Sequence, residues 1–249
     1  QVSASDNQSV WNTAVGANAG AALTTGINST LIGAYAGGSG AITGSNNIAL
    51  GTDALRSVTA GANNIVIGYQ AGYATTAITT GAQNICIGGQ AKTSAADSQY
   101  QIVLGYDVTG NAGDSFCFGK GATDSAIAAG ATSITAPSDV RLKEDIQDEM
   151  VGLDFINDLR PVTFRWKKEK DVPEDMVAHK ADSEERVMDG NYNHGFIAQE
   201  VKAVIDQHPE IKDGFGMWSE DDADGRQRIG ESALIPMLTK AVQELSAEV

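Results

Sequence analysis

The chain has 249 residues, of which 20% are charged and 6% aromatic, and its formal net charge is −15. This charge argues against a protein that wraps a nucleic-acid backbone, which needs clustered Lys and Arg. Two cysteines exclude a disulfide scaffold and a thiolate zinc site, and no apolar run approaches the ~18 residues that span a membrane. Since the first residue is Gln1 rather than Met, we expect the chain to be part of a longer protein.

The charge is distributed unevenly along the chain. Residues 1–137 contain six Asp and no Glu against three Lys or Arg, a net of −3, whereas residues 138–249 contain 26 acidic and 14 basic residues, a net of −12. The first part is rich in Gly, Ala, Ser, Thr and Asn, and the second has the composition of an ordinary globular domain. We therefore predict two domains, 1–137 and 138–249, with the boundary at Pro137–Ser138.

The first part is a repeat built on short apolar triplets that end in glycine. An Ala follows most of these glycines at the third position, and an Asn often precedes the triplet. The spacing between successive glycines is 17, 18, 17, 20, 17 and 14 residues, which predicts a stacked repeat and not a nucleotide-binding fold. The seven marker glycines are Gly16, Gly33, Gly51, Gly68, Gly88, Gly105 and Gly119.

The physical chemistry of the repeat predicts a β-solenoid. The triplets are short and β-branched, as strands prefer, and side chains alternate between faces, so that Ile65 and Ile67 point one way and Val66 the other. Cys86 and Cys117 take the position of Val66 in their own triplets, which predicts small core residues. A single coil cannot bury its own apolar face, and the strip is thin, so we expect a trimer.

The pattern of an Asn, an apolar triplet, Gly and then Ala resembles the head repeats of trimeric autotransporter adhesins (the YadA-like left-handed β-roll), and similar repeats occur in phage tail fibres. The resemblance covers about residues 10–125. It implies a homotrimer in which this domain is either a plain rod or a surface that contacts a host cell-surface receptor, glycan or protein.

The second part is predicted to be a small α+β domain. Apolar spacing predicts a helix over 151–159, stopped by Pro161, then a strand over 162–166 and a polar loop over 167–193. The segment 195–201 runs into a short helix through Ile205, and 214–229 forms a hairpin around Asp224-Gly225. A C-terminal helix follows, with Pro236 in its first turn. Its heptad seam is predicted at Leu234, Leu238, Ala241 and Leu245.

Four ordered motifs in this second part resemble the C-terminal intramolecular chaperone of phage tail spikes and fibres, the endosialidase-type self-cleaving family. Its relatives include the self-cleaving part of membrane-bound myelin regulatory factors. The motifs are Ser-Asp-Val-Arg-Leu-Lys at 138–143, Leu-Arg-Pro-Val-Thr-Phe-Arg-Trp at 159–166, Gly-Phe-Ile-Ala-Gln-Glu-Val at 195–201, and Ser-Ala-Leu-Ile-Pro-Met-Leu at 232–238 continuing to Gln243-Glu244-Leu245.

The resemblance implies a single-turnover serine peptidase that cuts the bond between Pro137 and Ser138. Ser138 would be the nucleophile and Lys143 the general base, because a hydroxyl is inert until its proton is removed. Burial and the neighbouring Arg141 are the two influences that would lower the pKa of Lys143. We expect His194 to be the third participant, and Asp139, Arg141, Gln199 and Glu200 to be supporting residues.

The resulting expectation is a mostly β protein: a trimeric β-solenoid of ~17-residue repeats, then a small α+β chaperone domain ending in a coiled-coil helix. It would form the distal part of a phage tail fibre or spike in the virion, without cofactor, metal or membrane insertion. Two alternatives stay open at this point. One is a bacterial trimeric adhesin, and the other is a chaperone that stays attached as an uncleaved cap, since the ring of Pro137 limits how the chain bends toward Ser138.

The acidic turn Glu220–Gly225 with Glu231 has carboxylates at four of the spacings of a calcium loop. Its first position is Glu instead of Asp, and no amphipathic helix precedes it. We therefore expect a solvated acidic hairpin, and likewise an exposed loop at 171–189.

Overall fold

The computed structural model describes residues 11–211 and 215–248, so Gly214, the first residue of the predicted hairpin segment, lies outside the described residues. The chain divides into two compact units, 1–144 and 145–249. The first unit thus keeps the seven residues that follow Pro137. A division by compactness need not coincide with a cleavage point, and the functional boundary at Pro137–Ser138 stays a prediction.

The first unit is a β-solenoid, as the repeat predicted. Its described residues form one eight-stranded sheet in sequence order, in which β1 to β7 pair in parallel, and β7 and β8 are antiparallel. Each of the first six strands contributes its triplet at the same register. The strands are β1 Thr13–Val15, β2 Thr30–Ile32, β3 Ile48–Leu50, β4 Ile65–Ile67, β5 Ile85–Ile87, β6 Ile102–Tyr106, β7 Ser115–Lys120 and β8 Thr123–Ala128.

The middle residue of each triplet forms the core, and the two flanking residues form an outer apolar face. Val66 is fully buried whereas Ile65 is 36% exposed, so the predicted alternation is correct. Cys86 and Cys117 are buried at the positions of their own coils that are equivalent to Val66. Burial raises the pKa of the Cys86 thiol to about 12. The repeated Ala is also buried in the coils, where it lies in a tight turn.

The marker glycines are required by the stacking of one coil on the next. Gly51 has a φ of +134°, and a Cβ placed on it would lie 2.5 Å from the carbonyl oxygen of Gly68 in the following coil. Both the backbone conformation and the contact exclude a side chain. The other marker glycines share the positive φ, which explains why glycine recurs at this position.

A buried ladder of amides holds the coils in register. The Asn64 side chain donates to Gly81 O and to the Oδ1 of Asn47, at 2.9 and 3.1 Å. Asn84 repeats this arrangement one coil later by donating to the Oδ1 of Asn64. Buried amides are stable only when both their donors and their acceptors are satisfied. Asn47, Asn64 and Asn84, which directly precede their triplets, are therefore structural ladder residues.

The solenoid ends in a hairpin instead of a seventh full coil. After the last marker glycine the chain turns back from β7 to β8, so that Ala122, unlike the earlier alanines of the repeat, is exposed. Thr135 then pairs with Ala126, and their backbone hydrogen bonds are 2.8 and 2.7 Å long. This pairing fixes the chain two residues before Pro137.

The second unit is a small α+β arrangement. Its core gathers apolar side chains from the three helices and from the residues beside the last hairpin, with Phe155 and Met217 almost fully buried. Strands β9 and β10 pair antiparallel, as do β11 and β12. The elements are α1 Leu153–Asp158, β9 Val162–Phe164, β10 Asn193–Gly195, α2 Ala198–Ile205, β11 Trp218–Glu220, β12 Gln227–Ile229 and α3 Ile235–Ala247.

The predicted heptad seam of the C-terminal helix is wrong in part, because two of its four residues face the core of the second unit. Leu234, which directly precedes α3, and Ala241 are buried within the unit, so they cannot belong to an exposed seam with Leu238 and Leu245. Glu244 lies on the inner side as well and accepts a hydrogen bond from Leu153 N, which caps the first turn of α1. The exposed apolar residues of α3 are Ile235, Leu238, Val242 and Leu245, with a spacing of three, four and three.

His208, just after α2, is held between two carboxylates. Its Nδ1 lies 2.6 Å from Glu210 Oε1, its Nε2 lies 3.0 Å from Asp158 Oδ2, and its ring packs edge-on against Phe155. Only the imidazolium can donate at both nitrogens. Hydrogen bonds to Glu210 and then Asp158 raise the pKa of His208 above its ordinary value of 6.5.

We expect this arrangement to make the stability of the second unit depend on pH. Because the folded-state pKa is raised, the stabilisation is fully present below pH 6.5 and is lost as the pH rises through the folded-state pKa. The midpoint temperature of thermal unfolding of 138–249 should therefore decrease as the pH is raised above neutral. In His208→Gln this decrease should be smaller. An equal fall in both proteins would assign the effect to other groups.

Candidate functional site

The residues predicted to cleave the chain lie in one short turn of the first unit. Val140–Leu142 form a single 3-10 turn, and Asp139 is its N-cap. The Asp139 carboxylate accepts from Arg141 N at 2.9 Å and also binds the Arg141 guanidinium. The hydrogen bonds from Arg141 hold the pKa of Asp139 below its usual range.

This turn reverses the chain so that the two ends of the motif meet. Lys143 Nζ donates a hydrogen bond to Ser138 Oγ at 2.7 Å. The five-residue spacing is thus sufficient for contact, because one 3-10 turn brings the side chains back to each other. The same pair of atoms would be in contact if a neutral amine accepted the hydroxyl proton. The sequence alone did not identify the 3-10 turn, although an Asp two residues before Arg141 is a recognisable capping signal.

Pro137, which supplies the carbonyl group of the predicted cleavage site, lies directly after the end of the solenoid. Pro137 follows the Thr135–Ala126 pairing and lines an open cavity of about 320 Å³ at the last hairpin. The pairing of Thr135 with Ala126 therefore holds the chain two residues before Pro137, the predicted acyl donor. The cavity is lined by Thr109, Gly110, Asn111, Asp124, Ala126, Thr135, Ala136 and Pro137.

The environment of the dyad differs from the expectation of a buried lysine. Ser138 and Lys143 are both exposed in the single chain. Four large apolar side chains close to them in the sequence are exposed as well, at 64–72%. They are Val140, Leu142, Ile146 and Met150. The contact between the predicted nucleophile and the predicted base is therefore formed in the single chain, in a solvent-exposed setting.

His194 belongs to the second unit. It lies on β10 opposite Thr163 and faces an open pocket of about 470 Å³. The pocket combines residues of two of the sequence motifs with Glu231, which the sequence had indicated only as part of the calcium-loop spacing and not as a neighbour of His194. The pocket is lined by Pro161, Val162, Thr163, His194, Gly195, Phe196 and Glu231. A role for His194 at Ser138 stays a prediction.

The two supporting residues on α2 differ in their surroundings. Glu200 binds the Arg160 guanidinium through both carboxylate oxygens, and this hydrogen bonding lowers the pKa of Glu200. Arg160 directly precedes Pro161, so this ion pair joins two of the motifs within the second unit. Gln199 is exposed in the first turn of the same helix.

Carboxylates of the two acidic segments, 220–225 and 171–189, form ion pairs with Lys and Arg. Asp221 binds both Arg226 and Arg228, and the side chain of Asp224 is almost fully buried beneath the hairpin. Glu184 binds Lys168 and Lys170, and these hydrogen bonds lower its pKa to about 2. Among the residues that the structure describes, no group of three or more His, Cys, Asp or Glu side chains is arranged to hold a metal ion.

Within the same described part of the chain, no helix combines the length and the apolarity needed to cross a membrane.

The comparisons with known proteins bear on the second half of the chain. No curated protein and no solved structure gives a significant match. A family model described as the chaperone of endosialidase matches residues 138–208. The matched segment begins at Ser138, the predicted nucleophile, and ends at His208. The chain thus carries, after its β-solenoid, a segment that is similar to the chaperone of endosialidase.

Proposed function

We propose that this chain is the distal part of a phage tail fibre or spike. In this proposal residues 138–249 bring three chains together, fold the solenoid, and then separate from it by cleaving the Pro137–Ser138 bond. The observation that carries the proposal is the 2.7 Å contact between Lys143 Nζ and Ser138 Oγ at the start of the family match. Further support comes from the solenoid that precedes it.

The chemistry requires only groups of the chain and one water molecule. Neutral Lys143 removes the proton of Ser138, and Ser138 Oγ attacks the carbonyl carbon of Pro137. The C–N bond breaks as the proton passes to the nitrogen of Ser138, which leaves an ester between the two residues. Water then hydrolyses the ester to the Pro137 carboxylate and regenerates the hydroxyl. Covalent adjacency of nucleophile and carbonyl makes the attack intramolecular.

Two apolar surfaces support a homotrimer. The outer face of the solenoid sheet exposes large side chains in successive coils, including Val15, Ile32, Ile65 and Ile102, and no strand from β1 to β6 contains a charged residue. The outer face of α3 exposes a second apolar row. Exposed apolar rows of this length indicate association surfaces. Three copies of the chain would cover both of them.

We further propose that the dyad becomes active only in the trimer. Packing of 195–201, with His194, against the turn at Ser138 would cover the exposed apolar residues around it and exclude water from Lys143. A lysine loses its proton more easily when water is excluded. Cleavage would then follow assembly, and an unfolded chain would keep its assembly domain.

The mass of the purified protein tests this proposal. We expect two polypeptides, 1–137 and 138–249, with Ser138 at the new N-terminus and Pro137 at the new C-terminus. Intact mass spectrometry and N-terminal sequencing give both ends. A single trimeric polypeptide of 249 residues would instead favour the uncleaved cap, and a stable monomer would contradict the assembly role.

A further inference from the structure

Two exposed tyrosines lie on the same edge of the solenoid, each directly after a marker glycine: Tyr69 follows Gly68 and Tyr106 follows Gly105. Tyr69, Gly89 and Tyr106 occupy the same position in three successive coils, since Gln90 N donates to Tyr69 O and Asp107 N donates to Gly89 O, both at 2.8 Å. The two tyrosines are 55% and 57% exposed. We call Tyr69, Gly89 and Tyr106 the tyrosine ledge.

The glycine in the middle keeps the ledge flat. A Cβ on Gly89 would meet Cδ2 of the Tyr106 ring at 3.4 Å and Cε2 at 3.6 Å, so this ring lies across the glycine. The backbone of Gly89 does not need a positive φ, in contrast to Gly88 before it. The marker glycine is thus required by the fold, whereas the glycine of the ledge leaves open space for an aromatic ring.

A file of polar side chains runs beside the ledge, one residue further along each coil. The Gln90 amide donates to Gln70 Oε1 at 3.3 Å. In the next coil the carboxylate of Asp107 is held by the buried ammonium of Lys92 at 2.5 Å. These groups are fixed by neighbours before any ligand arrives, which reduces the entropy lost on binding.

We propose that the tyrosine ledge binds a hydroxyl-rich polysaccharide. A sugar ring has an apolar C–H face that stacks on an aromatic ring and a rim of hydroxyls that pairs with amides and carboxylates. The backbones of Tyr69 and Tyr106 are two coils apart, roughly 9–10 Å, so the edge that carries them is about as long as a disaccharide unit. The glycan chain would therefore lie along the solenoid axis.

This inference rests on the proposed fibre function, for which it gives a polysaccharide as the ligand. It places the contact on the turn edge and not on the outer face of the strands, which the trimer would cover. Lys120 on β7 pairs with Tyr106 on β6, so it extends the ledge by one coil with a further hydrogen-bond donor. The partner is therefore a sugar chain and not the apolar surface of a protein.

The test uses the full chain on a printed array of purified bacterial polysaccharides, neutral and acidic. We expect binding to at least one of them, a loss of about tenfold for Tyr69→Ala and for Tyr106→Ala, and partial retention for Tyr69→Phe. Gly89→Leu should weaken binding while keeping both tyrosines. Tyr100→Ala, which removes an exposed tyrosine elsewhere on the solenoid, is the matched control.

Three results would overturn the proposal: no binding to any polysaccharide on the array, binding unchanged in both tyrosine variants, or dissociation of the oligomer by those variants. The last would assign the ledge to a subunit interface. Cleavage is followed on the same samples by gel mobility. If the tyrosine ledge binds no polysaccharide but the chain is cleaved normally, the ledge proposal is wrong and the chaperone function is unaffected. If the chain binds polysaccharide but is not cleaved, the ledge proposal holds and the cleavage proposal is wrong.

Discussion

Ser138→Ala is expected to leave the protein as a single chain of 249 residues while it still folds and associates. Removing the only hydroxyl that can attack the adjacent carbonyl should slow cleavage at least ~10³-fold, as removal of a nucleophile does in serine peptidases. The side chain is exposed and its described partner is Lys143, so little stability is lost. Time-resolved gel mobility and the oligomeric mass measure the two outcomes separately.

The lysine variants distinguish a base from a structural cation. Lys143→Arg keeps the charge and the reach to Ser138, but a guanidinium is never deprotonated in a protein, so it cannot accept the proton. We expect Lys143→Arg and Lys143→Ala to be equally inactive. Cleavage that survives in Lys143→Arg would show that only a positive charge is needed there.

The uncut Ser138→Ala protein also tests why cleavage occurs. Once the assembly domain is released, the solenoid can no longer unfold by reversing its assembly, so its persistence becomes kinetic. The cut wild type should therefore unfold more slowly than the uncut variant, or fail to refold. Equal and reversible melting of both would remove this role and leave the peptidase assignment intact.

Leu238→Asp and Val242→Asp are expected to abolish the trimer. Burying one Leu or Val contributes about 1.5–3 kcal/mol, so a layer of three chains contributes roughly 5–9 kcal/mol, and three buried carboxylates would add a large desolvation cost. Both residues lie on the outer face of α3, so the packing inside the second unit is unaffected. Analytical ultracentrifugation should show monomers or insoluble protein, and cleavage should stop with the trimer.

Gln243→Asp is the matched control for these variants. It adds the same charge on the same helix at an exposed polar position, so it should leave the trimer and its cleavage intact. Ala241→Asp should instead unfold the second unit, because Ala241 is buried against its own chain. A soluble cleaved trimer from Leu238→Asp would show that the outer face of α3 is not the interface.

The solenoid could be predicted from the sequence because each of its constraints is local and is repeated. The spacing of the marker glycines gives the length of the coil, and the alternation around Val66 gives the inside and the outside of the sheet. Ser138 and Lys143 were selected only through the family resemblance of the motif at 138–143, because a Ser and a Lys five residues apart occur by chance in many proteins. The structure shows that a single turn brings their side chains into contact, and their catalytic roles stay a prediction.

Other features depended on contacts that no local pattern contains. The C-terminal helix is apolar on more than one side, so its periodicity could not show which face packs inward. That choice is made by α1, whose first turn is capped by Glu244 of α3 and so directs Met237 and Ala241 toward the core. The setting of His208 between Asp158 and Glu210 arises in the same way, because α1 and the end of α2 are 50 residues apart along the chain and adjacent only after folding.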